Sequence, residues 1–104
     1  MKAEALKGHL DGLILATLNG GPAHGYAVAQ ALRGRSDGAF DLPEGTLYPA
    51  LHRLERDGLI ESEWSTEGGR RRRTYRLTSA GRRALSDRRR EWRLFATAVE
   101  AVLA

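Results

Sequence analysis

The stretch that decides the fold is Glu44–Ile60, EGTLYPALHRLERDGLI. Its leucines recur at intervals of four and three residues, which predicts an amphipathic helix from about Glu44 to Asp57. Gly58 follows and is typical of the left-handed residue that ends a helix. The inward face is predicted to consist of Leu47, Ala50, Leu51 and Leu54. The flanks and the outer side carry hydrogen-bond donors on Tyr48, His52, Arg53 and Arg56. One face can therefore pack while the other is left to bind something else.

The first turns of this helix contain residues that a helix built only to fill a core would not need. Gly45 would let a phosphate backbone approach closely, at a helix start whose free N–H groups attract anions. Pro49 is tolerated early in a helix because its missing N–H is not needed there. Arginine can bond to guanine through two donors, and tyrosine and histidine can bond to phosphates or base edges. The pattern is typical of a DNA-recognition helix, and an ordinary surface helix is the alternative.

Two more helices are predicted before this one. Apolar residues that recur at three and four predict the first, from about Lys2 to Leu18. The segment NGGPAHG ends it, because glycine and proline do not continue a helix cheaply. A second, shorter helix is predicted from about His24 to Arg33. Its candidates for burial are Tyr26, Val28, Ala29 and Leu32.

After Gly58 apolar and polar residues alternate, so the hydrophobic period of the sequence changes to two residues. The segments LIESEWS and TYRLT alternate and predict a β-hairpin, joined by TEGGRRRR as a loop longer than a tight turn. Alternation places Tyr75 inward with Arg73 and Leu77, and it places Arg72, Thr74 and Arg76 on the opposite face. The loop arginines are predicted to contact phosphates or enter a minor groove. A solvated basic loop is the alternative. The arginines concerned are Arg70, Arg71, Arg72 and Arg73.

A long final helix is predicted from about Ser79 to Leu103, with Thr78 as its N-cap. At 1.5 Å per residue it is about 37 Å long, which exceeds what a small bundle can cover. Its apolar seam is therefore predicted to pack against a second chain, with folding back onto its own bundle as the alternative. Trp92 is predicted to fill this interface or to form one wall of a site for a flat aromatic ligand. The predicted dimerisation residues are Leu6, Leu10, Leu85, Trp92, Phe95, Val99 and Val102.

Charge and composition restrict the classes of function. The chain has 104 residues, no cysteine and a net charge of +4, and residues 70–90 contain ten arginines and one aspartate. This basic segment favours a polyanionic partner, with a solvated arginine-rich surface as the alternative.

No segment has the roughly 20 apolar residues of a membrane helix, so a cytoplasmic protein is expected. His9, His24 and His52 lie on separate predicted helices and no catalytic motif is present, so neither an enzyme nor a metal or cofactor site is predicted.

The order of elements predicts a mainly α (α+β) winged helix-turn-helix, a three-helix bundle closed by a two-stranded wing. Residues 1–78 are predicted to form the DNA-binding domain and residues 79–104 the dimerisation helix. Two other interpretations stay open. One is a winged-helix module that binds nucleic acid without specificity or effector, and the other is a basic protein-interaction module.

The segments HGYAVAQAL, GTLYPALHRLERDGLIES and RRRTYRLTSAGRRAL together resemble the PadR family of bacterial transcriptional regulators. The resemblance runs from about Leu10 to Trp92. It implies a dimeric repressor of the short subfamily, with a single C-terminal dimerisation helix, that binds an inverted-repeat operator in double-stranded DNA. It also implies that the protein could respond to a small aromatic or hydrophobic effector beside Trp92. At the start of the third helix, Leu42–Pro43 stands where the family often has a small polar residue.

The residues predicted to contact DNA come from three places. The second helix contributes its first residues, where a structural role or a phosphate contact suits the histidine. The third helix contributes the segment that matches the recognition motif of the family and the residues one turn later. The wing contributes its four arginines. The complete set is His24, Tyr26, Gly45, Thr46, Tyr48, Pro49, His52, Arg53, Arg70, Arg71, Arg72 and Arg73.

Overall fold

The computed structural model describes Leu6 and residues 8–104. Its helices are α1 (Leu10–Leu18), α2 (Gly25–Arg35), α3 (Glu44–Arg56) and α4 (Ser79–Leu103). Its strands are β1 (Ala23–His24), β2 (Ile60–Glu67) and β3 (Arg70–Leu77), which form an antiparallel sheet in the order β1-β3-β2. Three helices closed by a hairpin and followed by a long helix make a winged helix-turn-helix, so the predicted fold class is confirmed.

The first helix differs from its prediction. α1 begins at Leu10 because the chain turns at Gly8, which has a φ of +86°, and the His9 N–H donates to the Leu6 carbonyl at 2.8 Å. A continuous helix up to Leu18 is therefore wrong. Residues 2–5 and residue 7 of the predicted helix lie outside the described residues.

The core lies between the inner faces of α1, α2 and α3, the proximal half of the hairpin and the first turns of α4. Leu85 is only 3% exposed and packs into this core, so the structure leaves it no surface for the predicted dimer seam. Leu6 is also buried, and Leu10 is half-buried against the core. Tyr26 was expected inside but is 63% exposed, because it lies on the outer side of α2. The buried cluster consists of Ile14, Leu15, Leu18, Val28, Leu32, Leu47, Ala50, Leu51, Leu54, Ile60, Tyr75, Leu77 and Leu85.

The hairpin is longer and its turn tighter than the sequence predicts. β2 and β3 pair from Ile60 opposite Leu77 to Glu67 opposite Arg70. Only Gly68 and Gly69 remain in the turn, with φ values of +56° and +77°, as in the type I′ turns of two-residue hairpins. The predicted basic loop is therefore wrong, because all four arginines lie in β3. The predicted alternation of β3 is confirmed, since Tyr75 and Leu77 are buried on one face.

A third strand, β1, was not predicted. Ala23 and His24 pair with Tyr75 and Thr74 on the free edge of β3, so the sheet has three strands and not two. A strand of two residues is too short to show an alternation of apolar and polar residues in the sequence. The pairing protects the edge of β3 that β2 leaves open.

The two junctions that flank the hairpin are fixed by backbone contacts. Gly58 has a φ of +77°, and the N–H groups of Gly58 and Leu59 donate to the Glu55 and Leu54 carbonyls at 3.0 Å, which confirms the predicted glycine cap of α3. Thr78 caps α4 as predicted, because its Oγ1 accepts from the Gly81 N–H at 3.0 Å. Gly81 lies directly on Leu59, since a Cβ at position 81 would be 2.0 Å from the Leu59 carbonyl oxygen.

The distal part of α4 projects beyond the bundle. The molecule measures 54 × 28 × 20 Å, and its radius of gyration of 14.7 Å exceeds the ~13 Å expected for a compact chain of this length. No helix of the described part of the chain is long and apolar enough to cross a membrane.

Candidate nucleic-acid interface

The outward face of α3 is set by its buried face. Leu47, Ala50, Leu51 and Leu54 are all buried, and at 100° per residue the opposite side carries Gly45, Pro49, His52 and Arg56. All four are exposed. A Cβ at Gly45 would meet no atom of the chain within 4 Å, so packing does not require a glycine there. Arg56, which was not among the predicted DNA contacts, belongs to this face, and the helical period alone could have added it.

Tyr48 and Thr46 lie on the flanks of α3. Tyr48 is half-buried, and its ring packs on Gly25 at the start of α2. A Cβ at Gly25 would lie 2.8 Å from Cε1 and Oη of Tyr48, so the approach of α2 to α3 depends on this glycine. Tyr48 therefore packs between α2 and α3, and only part of its ring is accessible to a ligand.

Arg53 lies on the other flank and is held by α1. Its Nη2 donates to Oδ1 of Asp11, which together with the negative charge of Asp11 raises the pKa of Arg53 above its ordinary value. Its side chain is nevertheless 43% exposed. Arg53 can reach a ligand, but a full contact requires it to share or leave the carboxylate.

The four wing arginines occupy two faces of β3. Arg71 and Arg73 lie on the face that continues the core, and Arg70 and Arg72 lie on the opposite face. Arg73 is engaged, because its Nε donates to Oγ of Ser62 at 2.7 Å and its Nη2 lies 3.7 Å from Oε2 of Glu55. Within the described part of the chain, the other three form no ion pair with a carboxylate. The wing therefore presents three uncompensated positive charges.

The remaining predicted contacts, His24 and Tyr26, are close in sequence but differ in environment. The His24 ring is bonded through Nδ1 to Thr74 Oγ1 and lies with Nε2 beside Glu67 Oε2, each at 3.3 Å, which fastens β1 to the wing. The Tyr26 hydroxyl accepts from Gln30 at 3.2 Å and is open to solvent. Across the described residues, no group of three His, Cys, Asp or Glu side chains could hold a metal ion.

A separate apolar groove of about 770 Å³ lies between α1 and α4, away from the outward face of α3. Trp92 lines this groove. The centroid of its ring lies 5.4 Å from that of the His9 ring, in a T-shaped contact, and 6.1 Å from that of the Phe95 ring. Leu13 and Phe40 also line the groove. The structure thus places Trp92 beside an open, largely apolar groove.

A winged helix-turn-helix that exposes polar donors on its third helix beside a basic hairpin is the architecture of DNA-binding regulators. Comparison with known proteins agrees. Residues 14–87 match the Transcriptional regulator PadR-like family. Transcriptional regulator Rv3488 of Mycobacterium tuberculosis is 51% identical over 67 residues, which cover 64% of this chain and 60% of the relative.

Solved structures show the same relationship. A transcriptional regulator from Clostridium thermocellum superimposes with a TM-score of 0.90 at 30% identity, covering 98% of this chain and all of the other. A PadR family transcription regulator from Clostridium difficile R20291 superimposes with a TM-score of 0.83 at 36% identity, covering 92% of this chain and 99% of the other. The chain belongs to the PadR-like family of transcriptional regulators, which are DNA-binding proteins and not enzymes.

Proposed function

We propose that the protein is a homodimeric repressor that binds an inverted-repeat operator and is released by a small aromatic or hydrophobic effector. The observation that carries the DNA-binding part is the joint exposure of His52 and Arg56 on α3 beside three wing arginines that form no ion pair with a carboxylate of the described residues. The helix side chains would contact base edges, and the wing would neutralise phosphates. Affinity for DNA should therefore fall steeply with salt.

The homodimer is supported by the distal half of α4. Within the described part of the chain, Trp92, Phe95, Val102 and Leu103 are all more than half exposed on this helix. A two-fold axis through two such helices buries the same surface on both chains. It also explains how two α3 helices reach successive major grooves about 34 Å apart.

The effector is proposed to bind in the groove beside Trp92. The groove is lined by α1 and α4, so a ligand there contacts both the DNA-binding bundle and the proposed dimer helix. Such a ligand changes DNA affinity only to the extent that it prefers one dimer geometry over the other. This is the mechanism by which release is expected.

The test is footprinting and competition binding on the upstream DNA of the gene, with and without a panel of aromatic compounds. The wild-type protein should prefer its own site to bulk DNA by roughly 10³ or more. His52→Ala and Arg56→Ala should each weaken binding to that site by about 10- to 100-fold. Arg90→Gln is the charge-matched control, because Arg90 lies on α4 and is paired with Asp87.

A second candidate function is a winged-helix module that binds nucleic acid without specificity or effector, favoured by the basic charge of the four exposed or half-buried arginines of the wing strand. This module predicts that bulk DNA competes with the upstream DNA as well as the upstream DNA itself does. Equal affinity for upstream and bulk DNA, with the Arg56→Ala and Arg90→Gln variants alike, would establish that module and exclude the operator-binding repressor.

A further inference from the structure

Trp64 is a large aromatic side chain that lies outside the buried core. It lies on the core-side face of the hairpin, but beyond Tyr75, where the buried cluster ends, and it is 53% exposed. Its neighbours on this face are two arginines. The guanidinium carbon of Arg71 lies 4.6 Å from the ring centroid, and that of Arg73, directly across the strand pair, lies 5.4 Å from it. Both distances are within the range of cation–π contact.

The two arginines have different second partners. Arg73 donates to Ser62, which itself donates to Oε2 of Glu55 at 2.6 Å, and Glu55 is in the last turn of α3. The charge of Arg73 is therefore balanced by the carboxylate of Glu55, 3.7 Å away. Arg71 has no carboxylate partner among the described residues. A continuous chain of contacts thus runs from the end of α3 through Arg73 and Trp64 to Arg71 near the wing tip.

We propose that Trp64 is a positioning residue for DNA binding, which holds the Arg71 guanidinium at a fixed place relative to α3 so that Arg71, and not Arg73, makes the phosphate contact on this face of the wing. The proposal rests on the proposed function, because it assigns roles within the same interface. The stacked ring restricts the long Arg71 side chain before DNA arrives, which lowers the entropy that binding must remove. Arg73 acts as the connector between the wing and α3.

A double-mutant cycle of Trp64→Leu and Arg71→Gln tests the proposal on the intact protein. Trp64→Leu keeps apolar bulk but removes the aromatic face, and it should weaken operator binding about 2- to 5-fold, the size of an exposed cation–π contact. In the Arg71→Gln background the same change should have no further effect. Trp64→Phe should restore most of the affinity. A loss from Trp64→Leu that persists without Arg71 would overturn the proposal, because Trp64 would then act on DNA directly or only stabilise the hairpin.

Salt dependence separates the two arginines. Arg71→Gln should reduce the slope of log affinity against log salt by about 0.9 per half-site, the value for one lost phosphate contact. Trp64→Leu should leave the slope almost unchanged, since the Arg71 charge remains. Arg73→Gln should lower affinity without changing the slope. A slope that falls with Arg73→Gln and not with Arg71→Gln would refute the assignment.

The stack can also be measured without DNA, which distinguishes its failure from failure of the proposed function. In a Trp92→Phe background, Trp64 is the remaining tryptophan of the chain. Arg71→Gln should then increase quenching of its fluorescence by acrylamide, whereas Arg90→Gln should not. Unchanged quenching would show that Arg71 does not cover the Trp64 ring and would overturn the proposal, even if the protein binds its operator. A normal stack, together with a wild-type protein that binds no operator, would instead refute the repressor.

Discussion

Arg53 and Arg56 are three residues apart on α3 but are not equally free to bind DNA. Arg53 is tied to Asp11 of α1, whereas Arg56 is exposed and has only the adjacent Asp57 at 3.8 Å. A contact from Arg53 must first weaken an existing charge-assisted hydrogen bond, so part of its interaction energy is lost in the exchange. Among the described residues, neither His52 nor Arg56 has a side-chain hydrogen bond to a carboxylate like that of Arg53, which is why they carry the proposed recognition.

Gly81 provides a test at the scale of one methyl group. Helix propensity alone would make Gly81→Ala stabilising by about 1 kcal/mol. The structure predicts the opposite sign, because the new Cβ would lie 2.0 Å from the Leu59 carbonyl oxygen, and that backbone must then shift. Overpacking of this kind costs about 1–3 kcal/mol, so the free energy of unfolding measured by urea denaturation should fall.

Gly34→Ala is the matched control for that measurement. Gly34 is also helical, but a Cβ there meets nothing within 4 Å. It should raise the free energy of unfolding by up to about 1 kcal/mol. If Gly81→Ala were stabilised as much as Gly34→Ala, the close contact between α4 and Leu59 would be contradicted.

Among the elements, those with a strong period were predictable from the sequence and those set by distant partners were not. The leucine spacing of α3, the alternation around Tyr75 and the Thr78 cap all correspond to the structure. The extent of the hairpin was missed because, beyond Trp64 and Arg73, both of its faces are polar and give no burial signal. β1 was missed because it is too short, and its pairing depends on a strand about 50 residues later.

The candidate site was predictable to the same degree. The outward side of α3 follows from its period, so His52 and Arg53 were placed correctly on the polar part of the helix. Which arginines are already engaged could not be predicted, because Asp11 is 42 residues from Arg53 in the chain. Leu85 was misplaced for a related reason, since periodicity shows which residues share a side of α4 but not where the bundle ends beneath it.

The two-residue turn of the hairpin supports a prediction about this element. Gly68 and Gly69 both have positive φ, which a β-branched residue adopts only at high cost. Gly69→Val should therefore destabilise the turn and lower DNA affinity, because the wing arginines lose their common support. Gly68→Asn should be tolerated, since asparagine followed by glycine is a preferred type I′ pair. Chemical shifts of the β2 and β3 amides, measured together with DNA affinity, would check both, and equal effects of the two substitutions would exclude the tight turn.

At the scale of the whole molecule, the projecting half of α4 predicts dimerisation through one side of the helix. Phe95→Glu should raise the dimer dissociation constant by about 100-fold or more, because an apolar contact is replaced by a buried charge on both chains. Thr97→Glu is the control, since Thr97 is exposed and lies about 200° around the helix from Phe95. Analytical ultracentrifugation over a concentration series measures both.

Two outcomes would change this description of the assembly. A wild-type protein that sediments as a monomer at all concentrations would remove the proposed dimer. Dissociation by Thr97→Glu and not by Phe95→Glu would move the interface to the other side of α4. Loss of folded protein in the Phe95→Glu variant is not expected, because Phe95 is outside the buried cluster.

The junction at Gly81 also determines how motion passes through the molecule. The Thr78 N–H donates to the Leu59 carbonyl at 3.1 Å and Gly81 lies against the same carbonyl, so we expect the first turn of α4 and the base of the hairpin to move together. From Gly81 to Leu103 the helix is about 33 Å long, so each degree of tilt about the base of the wing moves its far end by about 0.6 Å. In the proposed dimer, a small displacement where the two α4 helices pack together would therefore rotate each DNA-binding bundle, with the wing and α3 turning together.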